Sequence, residues 1–98
     1  VVGVPGESGV PQAFALDQNY PNPFNPSTTI GYALPHAADV TLTVFNTLGE
    51  QVAVLVQGAQ GAGEYQVRFD AREMATGVYF YTLRAGDFVQ TRKLVLVK

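Results

Sequence analysis

No window of this chain longer than a turn or two keeps the 3.6-residue apolar period of an amphipathic helix. Short apolar runs alternate with polar residues instead, and Gly, Pro, Asn and Asp break them at short intervals. Such a pattern specifies strands, because only a period of two puts successive side chains on opposite faces. The reading places strands at about 13–17, 28–34, 39–46, 50–57, 64–70, 77–85 and 87–97. Tyr65, Val67 and Phe69 alternate with Gln66 and Arg68, and Val40, Leu42 and Val44 alternate with Thr41 and Thr43, so each of these strands turns one face to a core. Gly77 to Leu83 is apolar or aromatic at nearly every position and reads as an interior strand covered on both sides. About seven such strands make an all-β antiparallel sandwich.

The connections follow from turn chemistry. Asn46-Thr47-Leu48-Gly49 supplies a type I turn with Gly where φ must be positive, and Ala85-Gly86-Asp87 closes a second hairpin. Gly58 to Gly63 reads as a hairpin loop. Between Asp70 and Thr76, the residues Ala71-Arg72-Glu73-Met74-Ala75 predict one helical turn capped by Asp70, serving as a crossover between sheets. The opening VVGVPGESGVPQ is rich in Gly and Pro and reads as a linker or arm over residues 1–12, with the sandwich occupying residues 13–98. The start at Val1 suggests a module of a longer or processed chain.

Composition narrows the function. The 98 residues suffice for one core, and 47% hydrophobic against 14% charged residues supports burial rather than disorder. A formal charge of −2, with the six Lys and Arg scattered, argues against nucleic acid as a partner. No cysteine is present for a bridge, a thiolate or the usual structural zinc site. His36, Asp39 and Ser27 name the parts of a triad, but His36 lies in a loop between strands, and a small filled sandwich has little room for the pocket that a triad needs. The carboxylates stand singly, without the spacing of a calcium loop. Gly58 to Gly63 leads into a strand, not into a helix N-terminus that could hold phosphate. Asn25-Pro26-Ser27 is excluded as a glycosylation sequon by its proline. No cofactor, metal site or enzyme activity is expected. Tyr20, Tyr32, Tyr65, Tyr79 and Tyr81 suggest a sugar-stacking platform as a minor reading, weakened by the absence of Trp.

Tyr20-Pro21-Asn22-Pro23-Phe24-Asn25-Pro26 stands apart, since three prolines fix φ and bias the residues before them to extended geometry. The segment predicts a rigid, extended corner with Tyr20 and Phe24 anchored in the core. Read on as QNYPNPFNPSTTIGYALP, it resembles the opening of the C-terminal sorting domain, type A, of type IX secretion substrates. DVTLTVFNTLGEQVAVLV resembles that family's central hairpin, GEYQVRFDAREMATGVYFYTL its block with a Gly-x-Tyr strand, and TRKLVLVK its basic terminal strand. The blocks occur in the family's order over residues 14–98.

The resemblance implies an immunoglobulin-like sandwich at the C-terminus of a larger exported protein. It implies recognition by the type IX translocon at the outer membrane of a Gram-negative cell, after passage through the periplasm. In many members a sortase-like peptidase then removes the domain and joins the cargo to a cell-surface lipopolysaccharide. Any enzyme activity would belong to the N-terminally fused cargo. Tyr20, Pro21, Asn22, Pro23 and Phe24 match the first motif, Leu48 and Gly49 the central turn, Gly77 and Tyr79 the Gly-x-Tyr motif, and Lys93 and Lys98 the basic end. The rival reading is a structural or adhesive subunit that self-associates through residues 1–12 and its edge strands. Val4, Val10, Phe14 and Leu16 discriminate between the two: they fill a neighbour's groove, or they fold back.

Overall fold

The computed structural model describes residues 10–98, so most of the expected linker of residues 1–12 lies outside the described residues. Seven strands form: β1 (Ala15–Leu16), β2 (Ser27–Leu34), β3 (Ala38–Phe45), β4 (Gln51–Gln60), β5 (Gly63–Asp70), β6 (Gly77–Ala85) and β7 (Phe88–Leu96). They pair as a three-stranded sheet, β1-β2-β5, and a four-stranded sheet, β4-β3-β6-β7, with every pairing antiparallel. This is an immunoglobulin-like sandwich. The alternating residues meet inside: Ile30, Tyr32, Leu34 and Phe69 from one sheet, and Val40, Leu42, Val44, Tyr81, Leu83, Leu94 and Leu96 from the other.

Four local expectations are corrected. Residues 71–75 form no helical turn. Met74 N–H reaches Ala71 O at 2.9 Å, one residue short of a helical bond, and Asp70 Oδ1 accepts from Arg72 N–H at 3.0 Å, which closes an Asx turn. The segment still crosses between sheets. Gly58 to Gly63 is not a hairpin loop, because β4 runs on through Gln60 against Ala38, and Gly61-Ala62 carries the chain to the opposite sheet. β6 is interior by pairing but covered on one face only, with Tyr79, Tyr81 and Leu83 buried while Val78 and Arg84 face outward. The first strand shortens to two residues because Gln18-Asn19 interrupt the ladder between the Asp17–Gly31 bond and the Tyr20–Thr29 bridge, and Asn19 turns to brace the other sheet.

That bracing closes one flank of the sandwich. The Tyr81 hydroxyl of β6 donates to Asp17 O at 2.6 Å and accepts Asn19 N–H at 2.8 Å. Asn19 is itself buried, and its Nδ2 donates to Thr28 Oγ1 at 3.0 Å and Pro21 O at 3.2 Å. Arg92 of β7 donates to Leu16 O. Farther along, Phe24 N–H bonds Val95 O at 2.9 Å, Val97 N–H bonds Phe24 O at 3.0 Å, and Asn22 Oδ1 accepts Val95 N–H at 2.9 Å. The outer edge of β7 over these residues is thereby occupied by the chain itself, which blocks pairing there with another molecule.

Tyr81→Phe removes the clamp and strands the buried Asn19 N–H, so chemical denaturation should show a loss of about 1–3 kcal/mol. Burial pushes the Tyr81 hydroxyl up to about 12, against the smaller opposing effect of the Asn19 N–H bond. The folded state therefore holds this proton more tightly than the unfolded chain does. Its stabilising contribution is complete below pH 10 and is lost as pH rises from about 10 to about 12, by roughly 2–3 kcal/mol in all. Tyr81→Phe should remove most of that alkaline slope, leaving a residue from Tyr32, whose hydroxyl burial also raises. At the β3–β4 turn, Gly49 has φ of 81° and closes onto Asn46 O at 3.0 Å, so Gly49→Ala should lower stability by about 1 kcal/mol.

Candidate functional site

The Tyr20–Pro26 segment is a corner built of bends at residues 21–23 and 25–26 instead of extended backbone, and its three X–Pro bonds are cis. Its two aromatic residues have opposite fates. Phe24 is buried and packs against Phe69 with ring centroids 6.2 Å apart, as expected of an anchor. Tyr20 is 82% exposed, which overturns its assignment to the core. The cause is alternation: Tyr20 pairs through its backbone with Thr29 in both directions at 3.0 Å, and the inward position beside it is taken by Asn19. Pro21, Asn22 and Pro23 are exposed alongside it.

The other motif residues gather at the same end of the sandwich, because antiparallel pairing brings that end of each strand together. Phe24 bridges Leu96, Leu96 pairs with Gly77, and Ser27 pairs with Asp70. Tyr79, two residues into β6, donates its hydroxyl to Ala75 O in the preceding crossover at 2.6 Å. A Tyr at the start of this strand that ties back to the corner before it is a fold-stabilising device of immunoglobulin-like sandwiches. Lys98 is exposed; its N–H meets Thr76 Oγ1 at 3.2 Å and its Nζ meets Arg72 O at 2.6 Å, so the chain end lies against the same crossover. Arg72 in turn holds the Asp70 carboxylate, contact 2.6 Å, and its hydrogen bonds keep that carboxyl below the ordinary carboxylate range.

Two residues stand apart. Gly49 sits at this end but in the β3–β4 turn, with β3 and β6 lying between β4 and β7. Lys93 lies higher on β7, opposite Phe80 on the outward face, and its carbonyl accepts from Gln18 Nε2 at 2.6 Å. The sequence reading did not single out Asn19, Gln18 or Arg92, although they hold the corner to both sheets. Gln18 and Asn19 signalled only polarity beside a proline corner and Arg92 only a charge within a strand, and the partners lie 62 to 76 residues away.

The remaining chemical constellations do not assemble. Ser27 and His36 flank opposite ends of β2, Ser27 Oγ accepts from Arg68, and the exposed His36 ring packs edge-on against Phe14 at 5.2 Å. Among the described residues, no three His, Asp or Glu side chains group to hold a metal ion. The tyrosine platform is absent as well: Tyr32, Tyr79 and Tyr81 are buried, and Tyr65 stacks on Tyr32 at 5.2 Å. Phe14 stacks on Phe88 at 5.3 Å and Leu16 is buried, so two of the residues meant to discriminate the rival reading fold back onto their own sandwich. Val4 lies outside the described residues.

No curated protein matches this chain. Among solved structures, the crystal structure of CopC from Methylosinus trichosporium OB3b is similar at 18% identity and a TM-score of 0.46, covering 85% of this chain and 90% of that one. A family model described as the secretion system C-terminal sorting domain matches residues 18–98. That span holds the proline corner, the Gly-x-Tyr strand and the basic terminal strand alike, and the chain belongs to the family of C-terminal sorting domains of type IX secretion.

Proposed function

We propose that this domain is the address carried by a cargo protein fused to its N-terminal side, and that the type IX translocon reads it at the end formed by residues 20–26, 71–79 and 96–98. Family membership supplies the coarser statement: the domain is a sorting signal for type IX secretion, which implies export to the cell surface or beyond, and the family is not catalytic. One observation carries the finer reading. The motif segments converge on one end of the sandwich, whereas Phe14 packs against His36 and Phe88 at the other, separated by the nine residues of β7 or about 30 Å. A cargo attached at the entry end leaves the motif end open to a partner. Removal by a sortase-like peptidase belongs to the same proposal, with the cut on the cargo side of the first strand.

Most of the motif residues have an assigned duty in the fold. Phe24 anchors, Asn22 occupies the β7 edge, Gly49 turns, and Tyr79 ties the crossover. Lys98, exposed at this end with its Nζ against Arg72 O at 2.6 Å, and Lys93, exposed farther along the outward face of β7, remain as the motif cations that a partner would read. Deleting Leu94 to Lys98 is a poor test of recognition, because Leu94 and Leu96 are fully buried and each costs about 2–5 kcal/mol to truncate, within reach of a whole domain's stability.

The decisive experiment fuses residues 1–98 behind a neutral reporter in a bacterium that has the type IX system. The reporter should reach the surface or medium, and should stay in the periplasm of a translocon-deficient strain. The Lys93→Glu, Lys98→Glu double variant should melt within a few degrees of the parent yet leave most of the reporter periplasmic. Export at the parental level by the folded double variant would remove the two lysines from the recognition surface. Light scattering on residues 1–98 and on residues 13–98 tests the self-assembling rival, and a monomer in both cases is expected.

A further inference from the structure

The outer face of the three-stranded sheet carries a groove that meets the proposed sorting end at Tyr20 and Pro21 and runs away from it along β2. Along β2 the outward residues are Ser27, Thr29, Gly31 and Ala33, all small, while their inward neighbours Thr28, Ile30, Tyr32 and Leu34 are buried. Longer side chains rise on either side: Glu64, Gln66 and Arg68 from β5, and Asp17 and Tyr20 from the strand before the corner. Three depressions of about 460, 300 and 210 Å³ lie in line along this floor. The first two share Asp17, Gly31 and Gln66, and the last two share Thr29. Together they extend over roughly 20 Å, the length from Ser27 to Ala33.

The walls define what would lie there. The Asp17, Glu64 and Gln66 side chains line the largest depression and make no side-chain hydrogen bond to any described residue, so their acceptors and amide donors are free for a ligand. Gly31 keeps the Asp17 carboxylate low in the groove: a Cβ at this position would sit 2.7 Å from Asp17 Oδ2. At the next depression the ring of Tyr20, 82% exposed and held by its backbone pairing to Thr29, offers an apolar face beside polar groups. Carboxylate, carboxamide and hydroxyl groups around one aromatic face suit a ligand made of hydroxyls on one side and C–H bonds on the other.

A peptide fits less well. β2 is paired on both edges, to β1 and to β5, so the floor has no backbone donors or acceptors to pair with an extended chain. An anionic polymer is disfavoured too, because two carboxylates face the single guanidinium of Arg68, which is already engaged by Ser27 Oγ at 3.0 Å. We infer that this groove is a binding site for a neutral oligosaccharide chain, recognised by its polar walls and one tyrosine instead of a platform of several rings. It would hold the domain to a glycan, with Tyr20 and Pro21 common to this groove and to the proposed sorting end.

The test is an amide-resolved NMR titration of residues 1–98 with tetramers of β-1,4-linked glucose, β-1,4-linked N-acetylglucosamine and α-1,4-linked glucose, beside a tetramer of galacturonic acid and an unrelated neutral peptide. At least one neutral sugar should shift amides of β1, β2 and β5 and leave those of β6 and β7 unmoved. Tyr20→Ala and Gln66→Ala should each weaken Kd about tenfold, the size of one lost ring contact or hydrogen bond. Gly31→Ala, which displaces only the end of the Asp17 side chain, should do the same while the domain stays folded. Absence of shifts at millimolar concentrations of every neutral sugar, equal binding by the three variants, stronger binding of the uronate, or shifts of these amides by the peptide alone would each overturn the assignment.

Discussion

The fold depends on how the strand before the proline corner is held. A two-residue β1 cannot secure itself by its own ladder, and the hydroxyl of Tyr81 supplies the missing link, donating to Asp17 O while accepting Asn19 N–H. Because Tyr81 belongs to the four-stranded sheet and Asn19 also bonds Thr28 of the three-stranded one, a few buried polar atoms join the two layers. Each would be costly if left unpaired in a low-dielectric interior, and together they fix one arrangement of the layers. The corner that follows can then place Phe24 in the core and Asn22 on the β7 edge.

This arrangement makes the two flanks of the sandwich unequal. On the first, residues 16–24 cover much of β7, and the terminal strand is tied down by the start of the domain. On the second, β4 and β5 are the outer strands, joined by Gly61-Ala62. β5 carries Glu64, Arg68 and Asp70 on its outward face, whereas β4 bears no charge and leaves Val52 and Val54 partly exposed, with two irregularities in its ladder to β3 that bend its edge. The terminal strand is thus already paired, and it cannot serve as a free edge without first undoing the corner.

The motif residues divide into buried and exposed ones. Tyr79 matches a family motif and ties its crossover, and Phe24 matches another and fills the core; neither offers a partner much surface. Tyr20 lies within the same short motif and faces water. A residue's place in a family pattern therefore gives no direct measure of its exposure to a partner, and the burial of each side chain has to be read separately.

Strand positions were legible in the sequence because their causes are local. Alternation of Val40, Leu42 and Val44 with threonines, and of Tyr65, Val67 and Phe69 with polar residues, fixes which face is apolar wherever the strand lies. Asn46 to Gly49 encodes its turn through a positive φ that glycine tolerates. The resemblance of the ordered blocks to a sorting domain was legible for the same reason. What the tertiary structure alone decided were the long-range partners: that Gly61-Ala62 crosses between sheets, that Asn19 takes the inward place and turns Tyr20 outward, and that the small residues of β2 lie between taller walls. Pairing of strands far apart in sequence depends on side chains that many strands could supply equally well, and only the closed core selects among them.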